Sequence, residues 1–179
     1  IYLGVVRKIL VKFDLKESRS VVKKQKIEKS DEIILNSNNI IYPGKIRGSY
    51  ILLSEKEKEI GLKIFYQSVI YLKENYPDVS LKIVMIPPAL NVYNWKYPIT
   101  VEEQSLNKKI KLENSNILKK YISISNNIEF FSKNEMIAFV DCLNDLSKIA
   151  KNEYIHGTRD SKHFNPKGYE YIAKVVNSY

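Results

Sequence analysis

The chain lacks several features that define large classes of protein. It has a single cysteine, Cys142, so an internal disulfide framework is excluded. No secretory signal is visible, and no apolar run approaches the ~18 residues of a membrane-spanning helix. Only four of the 29 basic residues are arginines although the net charge is +9. Dispersed lysine is more typical of a solvated surface than of a site that reads phosphates or bases, so nucleic-acid binding is not expected.

The chain does contain enough apolar sequence for one packed domain. An apolar content of 44% over 179 residues predicts a single domain spanning 1–179. Within it, residues 14–50 are rich in polar and charged side chains and predict a loop or insertion. Residues 2–13 have helical spacing of apolar side chains and predict a short helix. Two short apolar runs, 33–35 and 40–42, predict irregular or edge strands.

Helices and strands alternate along the rest of the chain. Ser54 and Glu57 form a capping box, which predicts a helix to about residue 75. The apolar run 81–86, closed by two prolines, predicts a buried strand, and 137–140 predicts another that leads into a helix. Such alternation predicts an α/β fold with a parallel sheet covered by helices on both faces. The core-facing helical positions are predicted to be Ile60, Ile64, Phe65, Val69 and Leu72, and near the end of the chain Tyr169, Ile172, Val175 and Val176.

Residues 101–121 also predict a helix, followed by a turn at 123–127 and a short extended piece at 128–131. The buried positions predicted in that helix are Leu106, Ile110, Leu118 and Tyr121. The loop after strand 81–86 carries Tyr93 and Trp95, the latter the only tryptophan of the chain. Their rings are candidates for substrate binding, and the alternative is that they fix a long loop to the body of the domain.

The strongest functional signal lies between Asp160 and Tyr169. Asn165 and Pro166 predict the N-cap and first residue of a terminal helix over 166–178. Asp160 and His163 therefore lie three residues apart in the loop that enters this helix. An aspartate there can accept the ring N–H of the histidine and stabilise the imidazolium. The alternative is an ordinary helix N-terminus with a surface histidine. The block Asp-x-x-His-Phe-Asn-Pro-x-Gly-Tyr resembles the last conserved motif of the SGNH (GDSL-type) hydrolases.

The resemblance implies a three-layer, flavodoxin-like parallel sheet and ester hydrolysis by a Ser-His-Asp mechanism, for example deacetylation of an acylated carbohydrate. It makes His163 the general base and then acid, oriented by Asp160, and it requires no metal or organic cofactor. The same acyl-enzyme could serve acyl transfer. Two alternatives belong to other classes: an inactive SGNH-like module that binds a glycan, and a lysine-rich domain that binds an acidic partner. His156 fits no zinc-ligand pattern, so a metal site is not expected.

Three parts of the family pattern have no counterpart in this sequence: the Gly-Asp-Ser nucleophile, the oxyanion glycine and the oxyanion asparagine. Gly48-Ser49 is the nearest imitation of the nucleophile, but no apolar strand precedes it. Gly61 and Asn91 stand in no matching context. We therefore expect the sheet to be incomplete on its amino-terminal side, with the serine supplied by a preceding segment of the polypeptide. Analogy with such enzymes places the protein outside the cytoplasm, or anchored to a membrane through that segment.

Overall fold

The computed structural model describes residues 32–42, 49–103, 108–157 and 163–178. The predicted helix over 2–13 and the candidate residue Asp160 lie outside these ranges. The elements, in chain order, are β1 (Glu32–Leu35), β2 (Asn38–Ile41), α1 (Ser49–Leu52), α2 (Glu55–Asn75), β3 (Lys82–Met85), α3 (Ala89–Val92), β4 (Asn94–Trp95), β5 (Ile99–Glu103), β6 (Lys108–Leu112), α4 (Asn114–Asn134), β7 (Ala138–Asp141), α5 (Leu143–Ala150) and α6 (Pro166–Asn177).

The predicted α/β character is confirmed by a parallel strand pair. β3 and β7 run parallel, with Ile83 opposite Phe139 and Met85 opposite Asp141. Their bounds agree with the strands predicted at 81–86 and 137–140. The described residues form two further sheets, both antiparallel: β2-β1-β4 and the β5–β6 hairpin. The parallel sheet therefore has two strands in the part of the chain that the structure describes. β3 is half-buried, not fully buried as predicted.

The predicted edge strands at 33–35 and 40–42 form the β1–β2 hairpin. Asn36 and Ser37 connect the strands with positive φ angles of 50° and 63°, as a two-residue hairpin turn requires. The buried side chains of β1 are Ile33 and Leu35, whereas all four residues of β2 are exposed. On its other side β1 pairs with β4, where Ile33 lies opposite Trp95. The hairpin thereby covers the loop that follows β3.

The prediction of a helix over 101–121 is wrong for its first part, which forms β5 and β6, and is confirmed from Asn114 to Tyr121. The predicted turn at 123–127 and extended piece at 128–131 are wrong, because α4 continues through them. Ile99 and Val101 are fully buried on alternate positions of β5, which is strand spacing. The helix begins at Asn114 and continues to Asn134. Its buried face includes Ser125 and Ser132, and serines on that face hid the helical periodicity. Of the predicted buried positions, Tyr121 is buried, Ile110 and Leu118 are exposed, and Leu106 lies outside the described residues.

The capping box of α2 is confirmed, but its predicted inner face is wrong in part. Ser54 and Glu57 exchange hydrogen bonds between side chain and backbone. Three of the predicted inward residues, Ile60, Ile64 and Leu72, are exposed instead. α2 packs against α4 along a neighbouring stripe, where the Tyr66 and Phe131 rings stack with centroids 4.2 Å apart. Apolar residues occur around more than half of the helix circumference, so spacing alone could not identify the covered side.

The hydrophobic core lies where α3, α5 and α6 meet the carboxyl ends of β3 and β7. Its buried members include Leu90, Val140, Cys142, Leu146, Ala150, Ile155, Ile172 and Val175. The bounds and the cap of α6 agree with the predicted terminal helix. Its inner face consists of Gly168, Ile172 and Val175, whereas Tyr169, which was predicted to face the core, is exposed.

Candidate functional site

His163 lies shortly before α6 and takes part in a short antiparallel ladder of backbone hydrogen bonds. Its carbonyl oxygen accepts a hydrogen bond from the Gly157 N–H at 2.9 Å. The next residue, Phe164, pairs in antiparallel fashion with His156. Asn165 N–H then donates to the Ile155 carbonyl at 3.0 Å. The two ends of the segment that contains Asp160 are therefore fixed, and the His163 side chain is exposed. Because residues 158–162 are outside the described ranges, the Asp160–His163 contact stays a prediction.

The last part of the motif, which includes Asn165 and Gly168, has a structural role in this loop. Asn165 Oδ1 accepts from the Gly168 N–H at 2.8 Å, which caps α6. Its Nδ2 donates to the carbonyls of Tyr154 and His156. A Cβ built on Gly168 would lie 2.3 Å from the Ile155 carbonyl oxygen, so only glycine fits there. These contacts fix the start of α6 and orient the backbone at His163.

His156 is buried beneath this loop, and sequence reasoning did not predict its burial. Its Nδ1 lies 2.9 Å from the Tyr93 hydroxyl, which also accepts a hydrogen bond from the Ile155 N–H. With the hydroxyl proton directed at Nδ1, the neutral ring carries its own proton on Nε2. Burial lowers the pKa of His156 to about 4. The ring is therefore neutral near pH 7, and its hydrogen-bond partner lies 63 residues away in the sequence.

Tyr93 and Trp95 both lie inside the domain. They are 4% and 3% exposed and belong to an aromatic cluster with Tyr42 and Tyr154. The rings of Tyr93 and Tyr154 stack with centroids 5.5 Å apart. The Trp95 indole N–H donates to the Leu90 carbonyl at 3.0 Å. This burial favours the alternative in which the aromatic residues fix the loop, whereas contact with a substrate stays a prediction.

A second polar cluster lies at the carboxyl end of β7. Asp141 accepts hydrogen bonds from the Tyr121 hydroxyl, the Ser125 hydroxyl and the Leu143 N–H, at 2.8, 2.5 and 2.9 Å. Burial, and then the neighbouring carboxylate, raise the pKa of Tyr121. Both carboxylate oxygens are engaged, so the cluster joins α4 to β7 and to the start of α5. Its function is structural.

Some residues were considered in place of the missing nucleophile and oxyanion donors. Their surroundings do not match those that such catalytic groups require. Ser49 is the first residue of α1, and its side chain is outside the described set. Asn91 accepts from the Tyr50 hydroxyl and donates to the Ile117 carbonyl at 3.5 Å. Gly61 is exposed in the middle of α2. Burial raises the pKa of the Cys142 thiol, which disfavours a thiolate nucleophile.

The described ranges bear on metal binding and on membrane insertion. No group of three or more histidine, cysteine, aspartate or glutamate side chains there could hold a metal ion. No helix among those residues is long and apolar enough to cross a bilayer.

Comparison of the chain with protein-family models, curated proteins and solved structures gave no significant match. The features of this chain that bear on function are therefore the Asp160–His163 block and the geometry at the start of α6.

Proposed function

We propose that this chain is the carboxyl-terminal portion of an SGNH-type ester hydrolase that acts on acyl esters, with acylated carbohydrate as the substrate class. The observation that carries the proposal is the Asp160-to-Tyr169 block at the entrance to the last helix of an α/β domain. His163 is the general base and Asp160 its orienting partner. The proposed full fold is a three-layer, flavodoxin-like sheet in which β3 and β7 are neighbouring strands.

Three features of the described residues support this assignment. β3 and β7 are parallel neighbours, and β7 is followed by α5, the loop that carries the block and α6, in that order. His163 is exposed, while its own carbonyl and the backbone of Phe164 and Asn165 pair with residues 155–157, so its ring is accessible beside a fixed backbone. Ligands of open α/β sheets bind at the carboxyl ends of the strands, and His156, next to this loop, contacts Tyr93 in the segment that follows the carboxyl end of β3.

In the proposed reaction, neutral His163 accepts the proton of a serine hydroxyl as the serine oxygen attacks the ester carbonyl carbon. The imidazolium then donates that proton to the departing alcohol, which leaves an acyl-serine. Water, activated by the same histidine, attacks the acyl-serine and releases the acid. The serine and the oxyanion donors come from a preceding segment of the polypeptide. Without those donors, several kcal/mol of transition-state stabilisation are missing.

Substitution of the histidine in the full polypeptide tests the proposal. His163→Ala should lower kcat/KM for a p-nitrophenyl acyl ester by at least about a thousandfold, because the serine loses its base. Asp160→Asn should lower it by a smaller factor. Lys174→Ala, on the exposed face of α6 where Lys174 pairs with Glu170, is the matched control and should leave kcat/KM unchanged.

Two outcomes would count against the proposal. Near-normal turnover by a folded His163→Ala protein would remove the histidine from the mechanism. A fluorophosphonate probe should label a serine that precedes Ile1, and labelling of Ser49 instead would place the nucleophile within this chain.

A further inference from the structure

A cleft of about 140 Å³ lies between α1, the first turn of α2 and the first half of α4. Its polar lining consists of Lys58, Lys119, Lys120, Glu55, Ser123 and Tyr50. The lining therefore contains three lysines and one glutamate: Lys58 and Glu55 lie on α2, and Lys119 and Lys120 lie on α4. The remaining wall is apolar and is formed by Leu53 and Ile124.

The charges within the cleft do not cancel. Glu55 is paired with Lys58, whose ammonium group lowers the pKa of the Glu55 carboxyl. This pair leaves Lys119 and Lys120 as the excess positive charge of the lining. Lys119 is exposed and Lys120 is half-buried, so their attraction for an anion acts near the protein surface and weakens with salt.

Lys120 is held in place by the backbone. Its ammonium group donates to the Ile51 carbonyl oxygen at 2.8 Å, and Ile51 is fully buried in α1. An ammonium group has three N–H donors, so two remain for a ligand. The tether also reduces the rotamer entropy that a free lysine loses when it binds an anion.

The cleft also lies at the end of the domain where α/β proteins bind ligands. Tyr121 and Ser125 on α4 contact Asp141 at the carboxyl end of β7, and Lys120 and Ile124 precede them by one residue each. The Tyr50 hydroxyl at the cleft bonds to Asn91 in α3, which follows the carboxyl end of β3. Ligand sites of open α/β sheets occur at this edge.

We infer that this cleft binds a compact oxyanion, the phosphate or carboxylate group of a small molecule. Lys119 and Lys120 supply the charge, the Ser123 hydroxyl supplies a further donor, and Leu53 with Ile124 contacts the carbon part of the ligand. The volume suits a single small group and excludes a polymer chain within the cleft. This inference is independent of the proposed hydrolase function and stands if His163 proves not to be catalytic.

The test is an NMR titration of the full chain with inorganic phosphate at low ionic strength. Amide shifts should be largest at Lys119 to Ile124, and the paired substitution Lys119→Gln with Lys120→Gln should weaken binding at least about fivefold. The matched control is Lys148→Gln with Lys174→Gln, which removes the same charge from exposed lysines that pair with Asp145 and Glu170 on other helices. The control should weaken binding less than about twofold.

Equal weakening by the two double variants would overturn the inference, because general charge attraction would then explain the binding. Absence of phosphate binding by the unsubstituted protein, or shifts spread over the whole surface, would do the same. Glucose 6-phosphate binding more tightly than phosphate, with no binding of glucose, would identify the ligand as an oxyanion carried on a larger molecule. Equal affinity for phosphate and glucose 6-phosphate would identify a site for the free anion.

Discussion

The start of α6 and the outer face of α2 differ in how completely their side chains are buried. Around the start of α6, His156 is enclosed by the rings of Tyr93, Tyr154 and Phe164. On α2, by contrast, Ile64 and Tyr71 are 59% and 62% exposed. Both regions have well-formed helix caps, so the local sequence defines where each helix begins. Among the residues the structure describes, the start of α6 therefore has its tertiary partners, whereas the outer face of α2 does not.

The aromatic cluster beneath the His163 loop should show the largest effect of substitution. Trp95→Ala removes a fully packed indole and leaves the Leu90 carbonyl without its donor. We expect a loss of about 3–5 kcal/mol in the free energy of unfolding, measured by urea denaturation. Tyr71→Ala on the exposed side of α2 is the control and should change that free energy by no more than about 0.5 kcal/mol.

The same pair of variants decides between the two readings of the loop. If Trp95 contacted substrate at a free surface, Trp95→Ala would reduce stability little and raise KM for an ester. A loss below about 1 kcal/mol would therefore contradict the structural role given to Trp95 here.

The buried His156 should make the first region sensitive to acid. Its pKa is lowered by burial to about 4 in the folded protein, from an ordinary value of 6.5. The neutral ring is thus favoured by folding, so its contribution is fully present above pH 6.5 and is lost as the pH falls towards 4. The shift corresponds to a loss on the order of 3 kcal/mol. Urea denaturation at pH 7, 5.5 and 4.5 measures it.

The chain has two histidines, which provides the control. His156→Gln should be less stable at pH 7 and should lack most of the decline between pH 6.5 and 4.5. His163→Gln should keep the decline, because it leaves the buried His156 ring and its bond to Tyr93 unchanged. A His156→Gln protein with the same decline as the unsubstituted chain would show that other groups cause it.

Sequence reasoning succeeded where the interacting groups are neighbours in the chain. The capping box of α2 joins Ser54 to Glu57, and the cap of α6 joins Asn165 to Gly168, each over three residues. Such contacts follow from residue type and spacing alone. The strands 82–85 and 138–141 were also predictable, because continuous runs of apolar residues identify them.

Sequence reasoning failed where the burial or orientation of a side chain depends on a partner that is distant in the sequence. Ser125 was interpreted as part of a turn. It faces inward on α4 instead, because its hydroxyl donates a hydrogen bond to the Asp141 carboxylate. His156 could be predicted neither as buried nor as neutral, because that depends on Tyr93. The exposed side of α2 could not be distinguished from its covered side, since both carry apolar residues. The nucleophile stays a prediction, because its serine is proposed to lie in a preceding segment.

One substitution, glycine to alanine, can be made in both regions. At Gly168 a Cβ would lie 2.3 Å from the Ile155 carbonyl oxygen and within 3 Å of the Phe164 side chain, so the backbone must shift. Gly168→Ala should cost about 1–3 kcal/mol of unfolding free energy. At Gly61 a Cβ meets no described atom within 4 Å, so Gly61→Ala should stabilise α2 by up to about 1 kcal/mol. Opposite signs in urea denaturation are expected, and a loss at both positions would contradict the open surroundings of Gly61.

The smallest effect is expected on the exposed face of α2. Ile64→Lys should change the unfolding free energy of the 179-residue chain by less than about 0.5 kcal/mol, because the side chain is 59% exposed. Val69→Lys, at a position that is 7% exposed on the covered face, is the reference and should cost several kcal/mol. If a preceding segment supplies further structure to this domain, as proposed, Ile64→Lys should cost more than about 1.5 kcal/mol in the longer polypeptide, since a covered isoleucine loses its burial. Equal, small effects in both proteins would show that this face of α2 stays open to solvent.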